Sequence, residues 1–312
     1  MNDKKLVVLT GPTAVGKTAL SIKLAQAIGG EIISADSMQV YRGMDIGSAK
    51  IRPEEMQGVP HYLIDILDPA DSFDIVQFQT MALDAMEKIR SHGHIPILVG
   101  GTGFYIQSVV YDIDFTQNDG SCEYRRMLES DPDPEKLHRM LEAVDPESAG
   151  MIHPNNIKRT IRALEFYHQT GRKISEHNEQ ERRKDSPYNF AYFVLNDDRA
   201  KVYARIDQRV DEMMEAGLEA EVRRLKDLGL TEDMVSMQGI GYSQMLPYLD
   251  GRYSLEEAVR LIKRDSRHFA KRQITWFKRE KEVIWLNRGS FDNDDAKILE
   301  AMLTHLKEKG IL

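Results

Sequence analysis

Residues 5–18, Lys5-Leu-Val-Val-Leu-Thr-Gly-Pro-Thr-Ala-Val-Gly-Lys-Thr18, run an apolar strand straight into Gly11-x-x-x-x-Gly16-Lys17-Thr18. In a loop of this pattern the glycines let backbone N–H groups close around phosphate oxygens, and the lysine reaches the terminal phosphates. The hydroxyl ligates Mg²⁺, and the next helix turns its positive end toward the anion. That helix is expected over Thr18–Ile28, where apolar residues fall three and four apart before Gly29-Gly30 stops it. Gly11, Pro12, Thr13, Ala14, Val15, Gly16, Lys17 and Thr18 are therefore the expected diphosphate cradle, with Thr18 as the Mg²⁺ ligand. Such loops serve kinases, hydrolases, switches and a few transferases for which pyrophosphate is only a leaving group, so other residues must decide the reaction.

Working outward, strand and helix alternate: strand at Glu31–Ala35, helix at Phe73–Ser91, and a strand at Ile95–Val99 ending in Gly100-Gly101-Thr102. Alternation of this kind predicts an α/β core with a parallel sheet covered on both faces, and ligands beyond the carboxyl ends of its strands. From about 115 to 187 no strand pattern appears, prolines cluster at Asp131-Pro-Asp-Pro134, and short polar helices alternate with turns. Residues 116–189 are expected to be an all-helical insertion, with junctions near Gln117–Ser121 and Lys184–Asn189, in a core formed by 1–115 and 190–312. A strand at Phe190–Leu195, helices at Lys201–Leu228 and Ser254–Lys281, and a strand at Val283–Leu286 complete the expected core.

With 312 residues, 41% of them hydrophobic, the chain can bury one large core or two modest ones. Its single cysteine, Cys122, excludes an internal disulfide framework and any zinc ribbon of paired cysteines, and suits a reducing, cytoplasmic setting. No signal peptide is expected ahead of the first strand, and no apolar run approaches a membrane span. The net charge of −8 argues against indiscriminate nucleic-acid binding. Two stretches reverse it: eight Lys/Arg against four Glu over Lys158–Lys184, and ten against four acids over Arg252–Lys281. An acidic chain with two basic patches can hold a polyanion at a chosen place.

Asp36 ends the second strand, where a carboxylate can face the phosphate loop. It reads either as a general base or second-sphere Mg²⁺ partner, or as an ordinary N-cap. Gly100-Gly101-Thr102 stands where a nucleotide hydrolase places its Mg²⁺ carboxylate, which counts against simple ATP hydrolysis. Small residues there would admit a substrate backbone or flat ring. Within Ser254–Lys281, Arg260, Arg264, Arg267, Lys271 and Lys278 follow at helical spacing with no acid on the same line, and Leu255, Val259, Ile262, Phe269 and Trp276 should face the core. A stripe of like charges repels itself unless phosphates relieve it. His92-x-His94 lies in a glycine turn with no third ligand nearby in sequence, and no metal site is expected there.

Together these segments resemble the bacterial tRNA dimethylallyltransferases, also called tRNA isopentenyltransferases. The resemblance rests on Gly11–Thr18, on Asp36-Ser-Met-Gln-Val-Tyr-Arg-Gly-Met-Asp-Ile-Gly-Ser-Ala-Lys50 and on Gly100-Gly-Thr-Gly-Phe-Tyr105. It continues through His153-Pro-Asn-Asn156, Arg162-Ala-Leu-Glu165, Arg205-Ile-Asp-Gln-Arg-Val-Asp211, Gly239-Ile-Gly-Tyr242 and Lys271-Arg-Gln-Ile-Thr-Trp276. It spans about residues 5 to 286, departing only in details such as Ser48 for the usual Thr and Phe104 for the usual Leu.

The resemblance implies a P-loop NTPase-like core that transfers a dimethylallyl group from dimethylallyl diphosphate to N6 of the adenine just 3′ of the anticodon, position 37, in tRNA. It makes Asp36 the general base, Lys17 and Thr18 with Mg²⁺ the stabilisers of departing pyrophosphate, and Thr102 a holder of acceptor or donor. Arg205 or Arg209 clamps the pyrophosphate, a choice the sequence leaves open. Implied tRNA contacts are Asp36, Ser37, Met38, Gln39, Thr102 and Arg125, then Lys158, Arg159, Thr160, Ile161 and Arg162. Further along they are Gln238, Gly239, Ile240, Gly241, Tyr242 and Ser243. The last are Lys271, Arg272, Gln273, Ile274, Thr275, Trp276, Phe277 and Lys278. The expected partners are the tRNA anticodon stem-loop and dimethylallyl diphosphate, with no membrane and a monomeric chain. The insertion is expected to close over the stem-loop. The competing readings are a small-molecule or nucleotide kinase, isopentenyl transfer to a free adenine nucleotide, and a non-catalytic RNA-binding ATPase.

Overall fold

The computed structural model describes residues 4–115 and 123–312. Contacts divide the chain into two compact units, Met1–Val110 with Pro187–Leu312, and Tyr111–Ser186. The expected junction at Gln117–Ser121 and Cys122 lie outside the described residues.

The first unit opens with β1 (Lys5–Thr10), α1 (Lys17–Ile28), β2 (Gly30–Ala35), β3 (His61–Tyr62), α2 (Ile75–Ser91), β4 (Ile95–Gly100) and α3 (Gly103–Val110). The second unit holds α4 (Glu123–Ser130), α5 (Pro134–Val144), α6 (Pro146–Met151), α7 (Ile157–Thr170) and α8 (Ile174–Arg183), and no strand among its described residues. The first unit resumes with β5 (Asn189–Asn196), α9 (Arg199–Glu215), α10 (Leu218–Asp227), α11 (Tyr242–Leu249), α12 (Leu255–Phe277), β6 (Val283–Asn287) and α13 (Asp295–Glu308).

The strands form one parallel sheet in the order β3-β2-β4-β1-β5-β6. β1 lies at its centre, Val7 beside Ile97 and Ala191, which is why Leu6–Leu9 is an unbroken apolar run: both of its faces are covered. Val7 and Leu9 point with Ile32, Ile97 and Phe193 into a cluster closed by Leu20 and Leu24 of α1 and by Ile298, Met302 and Leu306 of α13. α2 packs against β2 and β4, its Phe78 ring stacked on Tyr105 of α3 at 4.2 Å. The α13 residues, four apart and fully buried, make a helix that the sequence reading did not anticipate; each such side chain contributes about 1.5–3 kcal/mol.

The expected long helix over Lys201–Leu228 is broken. α9 stops at Glu215 and the chain turns through Gly217, whose φ of 99° suits only glycine, before α10 begins. The break places Glu221 of α10 to cap the loop after β2: its carboxylate accepts from the amides of Asp45 (2.9 Å), Ile46 (2.9 Å) and Gly47 (3.1 Å), and from the Tyr242 hydroxyl (2.7 Å).

The second unit has its own core, in which Leu128, Leu137, Leu141, Ile161 and Leu164 meet. Asp145 accepts from the backbone and hydroxyl of both Ser148 and Ser175, tying α6 to α8. Among the described residues no helix is long and apolar enough to cross a membrane.

Candidate active site

A cleft open to solvent lies beyond the carboxyl ends of β1, β2 and β4. Thr13, Lys17 and Thr18 come to it from the loop after β1, Asp36 and Gln39 from the end of β2, Gly100 and Gly101 from the end of β4, and Arg209 and Gln273 from α9 and α12.

The loop leaves β1 at Gly11 (φ 146°), where a Cβ would stand 2.1 Å from the Leu195 carbonyl oxygen. Any side chain there would push β5 off the loop. The loop carbonyls are held from behind by two arginines. Arg205 Nε donates to Ala14 (3.0 Å), and Arg288 Nη1 donates to Val15 (3.4 Å). Each is ion-paired in turn, Arg205 with buried Asp197 at 2.8 Å and Arg288 with Asp295 at 2.6 Å. Burial alone would raise the Asp197 carboxyl; the hydrogen bond from Arg205 and its charge hold it below the ordinary range. Ala14 itself is left-handed (φ 61°), backbone strain at the loop crest that the Arg205 bond helps to offset.

Gln273 does the remaining bracing. Its Oε1 accepts from the Thr13 amide at 2.9 Å and its Nε2 donates to the Gly101 carbonyl at 3.0 Å, so α12 is pinned across the ends of β1 and β4. A Cβ on Gly101 would lie 2.1 Å from that Nε2, and one on Gly100 would lie 2.2 Å from the Ala35 carbonyl oxygen. The small residues let Gln273 and the β2 backbone approach closely, and both glycines also line the cleft. Thr102 follows at the start of α3, its amide on the Ala35 carbonyl at 3.3 Å; it pins β2 to β4, and Gly100 and Gly101 rather than Thr102 line the cleft.

Lys17 Nζ folds back onto the carbonyls of Gly11 (3.0 Å) and Pro12 (2.9 Å). Burial, then the charge of Arg209, lower its pKa to about 8, against an upward pull from Asp36. Burial also lowers Arg209 from its ordinary value. Asp36 Oδ1 accepts from the amides of Met38 (2.8 Å) and Gln39 (3.4 Å) in a tight turn that leads into no helix; among the described residues Oδ2 has no hydrogen-bond partner. Burial raises the Asp36 pKa, and the two amides and Lys17 pull it back only in part. Thr18 sits exposed at the first turn of α1, its hydroxyl without a hydrogen bond among the described residues.

A family model described as IPP transferase matches residues 39–280. The chain belongs to the IPP transferase family. It is 58% identical over 310 residues to the tRNA dimethylallyltransferase of Lachnoclostridium phytofermentans, a match covering 98% of this chain and 99% of that one. Its fold is similar to the crystal structure of the full-length tRNA isopentenylpyrophosphate transferase of Bacillus halodurans, with TM-score 0.75 and 44% identity over 99% of this chain and 98% of that one. It is also similar to a eukaryotic dimethylallyltransferase whose structures are described as snapshots of action on tRNA, with TM-score 0.81 and 31% identity over 91% of this chain and 74% of that one.

Against this family background the residues expected to touch tRNA divide by exposure. Lys158, Arg159, Gln238, Lys271, Arg272, Thr275 and Lys278 are exposed. Ser37, Met38, Gln39, Arg162, Ile240, Ser243, Ile274 and Trp276 are half-buried. Thr160, Ile161, Gly239, Gly241, Tyr242, Gln273 and Phe277 are buried, so they shape the surface from beneath and make no side-chain contact at it in this conformation. Arg125 is held by Glu129 and Glu165, each at 3.0 Å.

The stripe on α12 also needs correction. Arg260 pairs with Glu257 (2.6 Å), Arg264 with Asp265 (2.7 Å) and Arg267 with Asp207, so acids from neighbouring turns and from α9 relieve the repulsion. Among the described residues Lys271 and Lys278 have no such partner, and Lys271 lines a shallow groove with His268, Arg272, Thr275, Trp276 and Arg279. Facing the core are Ala258, Ile262, Ala270, Gln273 and Phe277, while Leu255, Val259, Phe269 and Trp276 are only half-buried. Sequence reasoning missed Glu221 as a loop anchor, since nothing in α10 distinguishes it from its acidic neighbours. It also missed the bracing role of Gln273, a polar residue on a buried helix face.

Proposed function

We infer that this chain transfers a dimethylallyl group from dimethylallyl diphosphate to N6 of the adenine at position 37 of tRNA, releasing pyrophosphate. The reading is carried by one cleft lined by the loop after β1, by two cations, Lys17 and Arg209, and by a carboxylate, Asp36, with one oxygen that has no hydrogen bond among the described residues.

Adenine N6 is a poor nucleophile because its lone pair is delocalised into the ring. The transfer therefore needs proton removal on one side and stabilisation of the leaving group on the other. Asp36 Oδ2 accepts the N6 proton as the new C–N bond forms, and the amides at Met38 and Gln39 keep the carboxylate aimed. On the other side the C–O bond to the diphosphate breaks, and negative charge gathers on the bridging oxygen. The loop amides, Lys17 and Arg209 meet that charge in a site whose dipoles are already oriented. Arg209 rather than Arg205 is the clamp, because Arg205 is committed to Ala14 and Asp197. Lys17 must leave its two carbonyls to reach the phosphates, and an incoming anion supplies the charge that draws it out. Thr18, with an unengaged hydroxyl beside the cradle, fits the oxygen-donor chemistry of Mg²⁺, which together with the substrate's phosphates would supply charge neutralisation for the leaving group.

The acceptor adenine must leave the anticodon-loop stack to reach Asp36. The exposed cations Lys158, Arg159, Lys271, Arg272 and Lys278 supply backbone contacts of the kind an RNA loop requires. A tRNA substrate and a single cysteine support a cytoplasmic protein. Incubation with Mg²⁺, dimethylallyl diphosphate and either unmodified tRNA or AMP, followed by nucleoside mass spectrometry, tests the reading. Prenyl-adenosine from tRNA alone is expected. Product from AMP would make the chain a free-nucleotide enzyme, and ATP consumption without prenylation would make it a kinase or ATPase.

A further inference from the structure

We propose that Glu31, His92 and His94 form a site for a divalent transition-metal ion of the zinc type, at the amino end of β2 and so roughly 16 Å along the strand from Asp36. One ligand atom from each residue lies within 4.8 Å of the others. Glu31 Oε1 stands 3.0 Å from His92 Nδ1 and 2.5 Å from His94 Nδ1, while its Oε2 accepts from the Tyr62 hydroxyl at 2.6 Å. The sequence spacing gave the two histidines no third ligand; the parallel pairing of β2 with β4, Gly30 beside Ile95, supplies it.

The local fold prepares the histidines. α2 ends in a reverse turn in which the Gly93 amide bonds the Arg90 carbonyl (2.9 Å) and the His94 amide bonds the Ile89 carbonyl (3.1 Å), with Gly93 left-handed at φ 78°. This turn sets His92 and His94 on either side of one carboxylate. It also brings them to the negative end of a seventeen-residue helix, where a cation is favoured. Glu31 is buried (2% exposed) and fixed by Tyr62, whereas the histidine side chains are 42% and 47% exposed. A zinc ion with bonds of about 2.0–2.2 Å would need the donor atoms roughly 3.3 Å apart, so each imidazole, 3.0 Å or 2.5 Å from Glu31 Oε1, would have to back off from the carboxylate by less than about 1 Å. The bond from Tyr62 to the second carboxylate oxygen is the kind of outer contact that orients a metal-binding carboxylate. Lys88 is the cation beside it, standing over the Tyr62 ring at 5.6 Å.

Two imidazoles and one carboxylate suit Zn²⁺, Co²⁺ or Ni²⁺; Mg²⁺ and Ca²⁺ take oxygen donors alone. The exposed side leaves a fourth position for water. Because the ligands come from β2 and from the turn before β4, a bound ion ties these segments together and stabilises the sheet edge nearest β3. The prenyl-transfer reading plays no part in this inference.

The test uses untagged full-length protein stripped with EDTA, titrated with Zn²⁺ by calorimetry and with Co²⁺ by visible absorption. One ion per chain is expected, with Co²⁺ bands of a four- or five-coordinate site. Saturating Zn²⁺ should raise Tm by about 5 °C. His92→Ala and His94→Ala should each weaken binding at least about tenfold. His305→Ala, another exposed histidine beside a glutamate, should leave it unchanged. Glu31→Gln should abolish binding, and if that variant does not fold the two exposed histidine variants still decide. Absence of stoichiometric binding to the wild type, or binding equally strong in both histidine variants, overturns the site and leaves a hydrogen-bonded trio whose only role is to satisfy Glu31.

Discussion

Strand β2 carries a carboxylate at each end, and the two live under opposite rules. Glu31 at the amino end is buried, yet Tyr62, His94 and His92 all bond it; burial alone would raise its pKa, and these donors hold it below the ordinary value. Asp36 at the carboxyl end has two amide bonds on one oxygen and none on the other, and burial wins, so its pKa is raised. A charge that donors meet on both oxygens contributes to folding. A charge left half-satisfied makes folding less favourable, and it is available to take a proton from a substrate.

The sharpest way to break this contrast is to neutralise each carboxylate in place. Asp36→Asn should lower kcat by about 10²–10⁴-fold, the usual worth of a general base, while tRNA affinity is kept. It should also raise stability at neutral pH. A raised carboxyl pKa means that the folded state binds its proton more tightly than the unfolded state does. Asp36 therefore favours folding most below the unfolded pKa, and that advantage is lost as pH rises through the folded one. Glu31→Gln should do the reverse, keeping kcat and costing about 1–3 kcal/mol. Its pKa is lowered, so the stability it contributes is present above the unfolded value and lost as pH falls through the folded one. Denaturant titrations of both variants across pH check the signs. Variants that shifted stability in the same direction would refute the division.

The strand, loop and helix around Gly11–Thr18 were legible in the sequence, and the reason is local. A phosphate loop is built from one strand, one turn and one helix start, so its glycines, Lys17 and Thr18 occupy fixed positions whatever surrounds them. The parallel sheet was legible because apolar runs such as Leu6–Leu9 and Ile95–Val99 fit buried strands and little else. What the sequence did not contain was partnership across distance. Gln273 meets Thr13 across 260 residues, Glu221 meets Asp45 across 176, and Glu31 meets His94 across 63. No periodicity or spacing encodes these meetings. The same blindness made the α12 stripe look unpaired, since Asp207, the acid facing Arg267, lies on α9.

A second test, smaller in effect, asks whether the cleft works as one electrostatic unit. Lys17 titrates near pH 8 because burial and Arg209 both disfavour its charge. Only the protonated form attracts the diphosphate, so kcat/KM for dimethylallyl diphosphate should fall as pH rises past about 8. Arg209→Ala should lower kcat/KM about tenfold or more at neutral pH by removing a charge-assisted contact. It should also move this alkaline limb to higher pH, because the neighbouring positive charge is gone. Arg205→Ala should leave the limb in place and instead loosen the loop at Ala14. If the limb stayed put in Arg209→Ala, the clamp would not belong in the same pocket as Lys17.

The weakest effect carries the contrast to the basic face of α12. Arg264 is already neutralised by Asp265 at 2.7 Å and 3.1 Å, whereas Lys271 is exposed with no acid partner among the described residues. A phosphate that meets Lys271 displaces counterions. One that meets Arg264 must first compete with a carboxylate that stays behind and repels it. Lys271→Ala should therefore weaken tRNA binding a few-fold and reduce the slope of log K against log salt by about 1. Arg264→Ala, which removes a cation already matched by Asp265, should change that slope much less. Filter binding at several salt concentrations measures both. Equal slopes for the two variants would mean that pairing within the helix does not decide which cations the RNA uses.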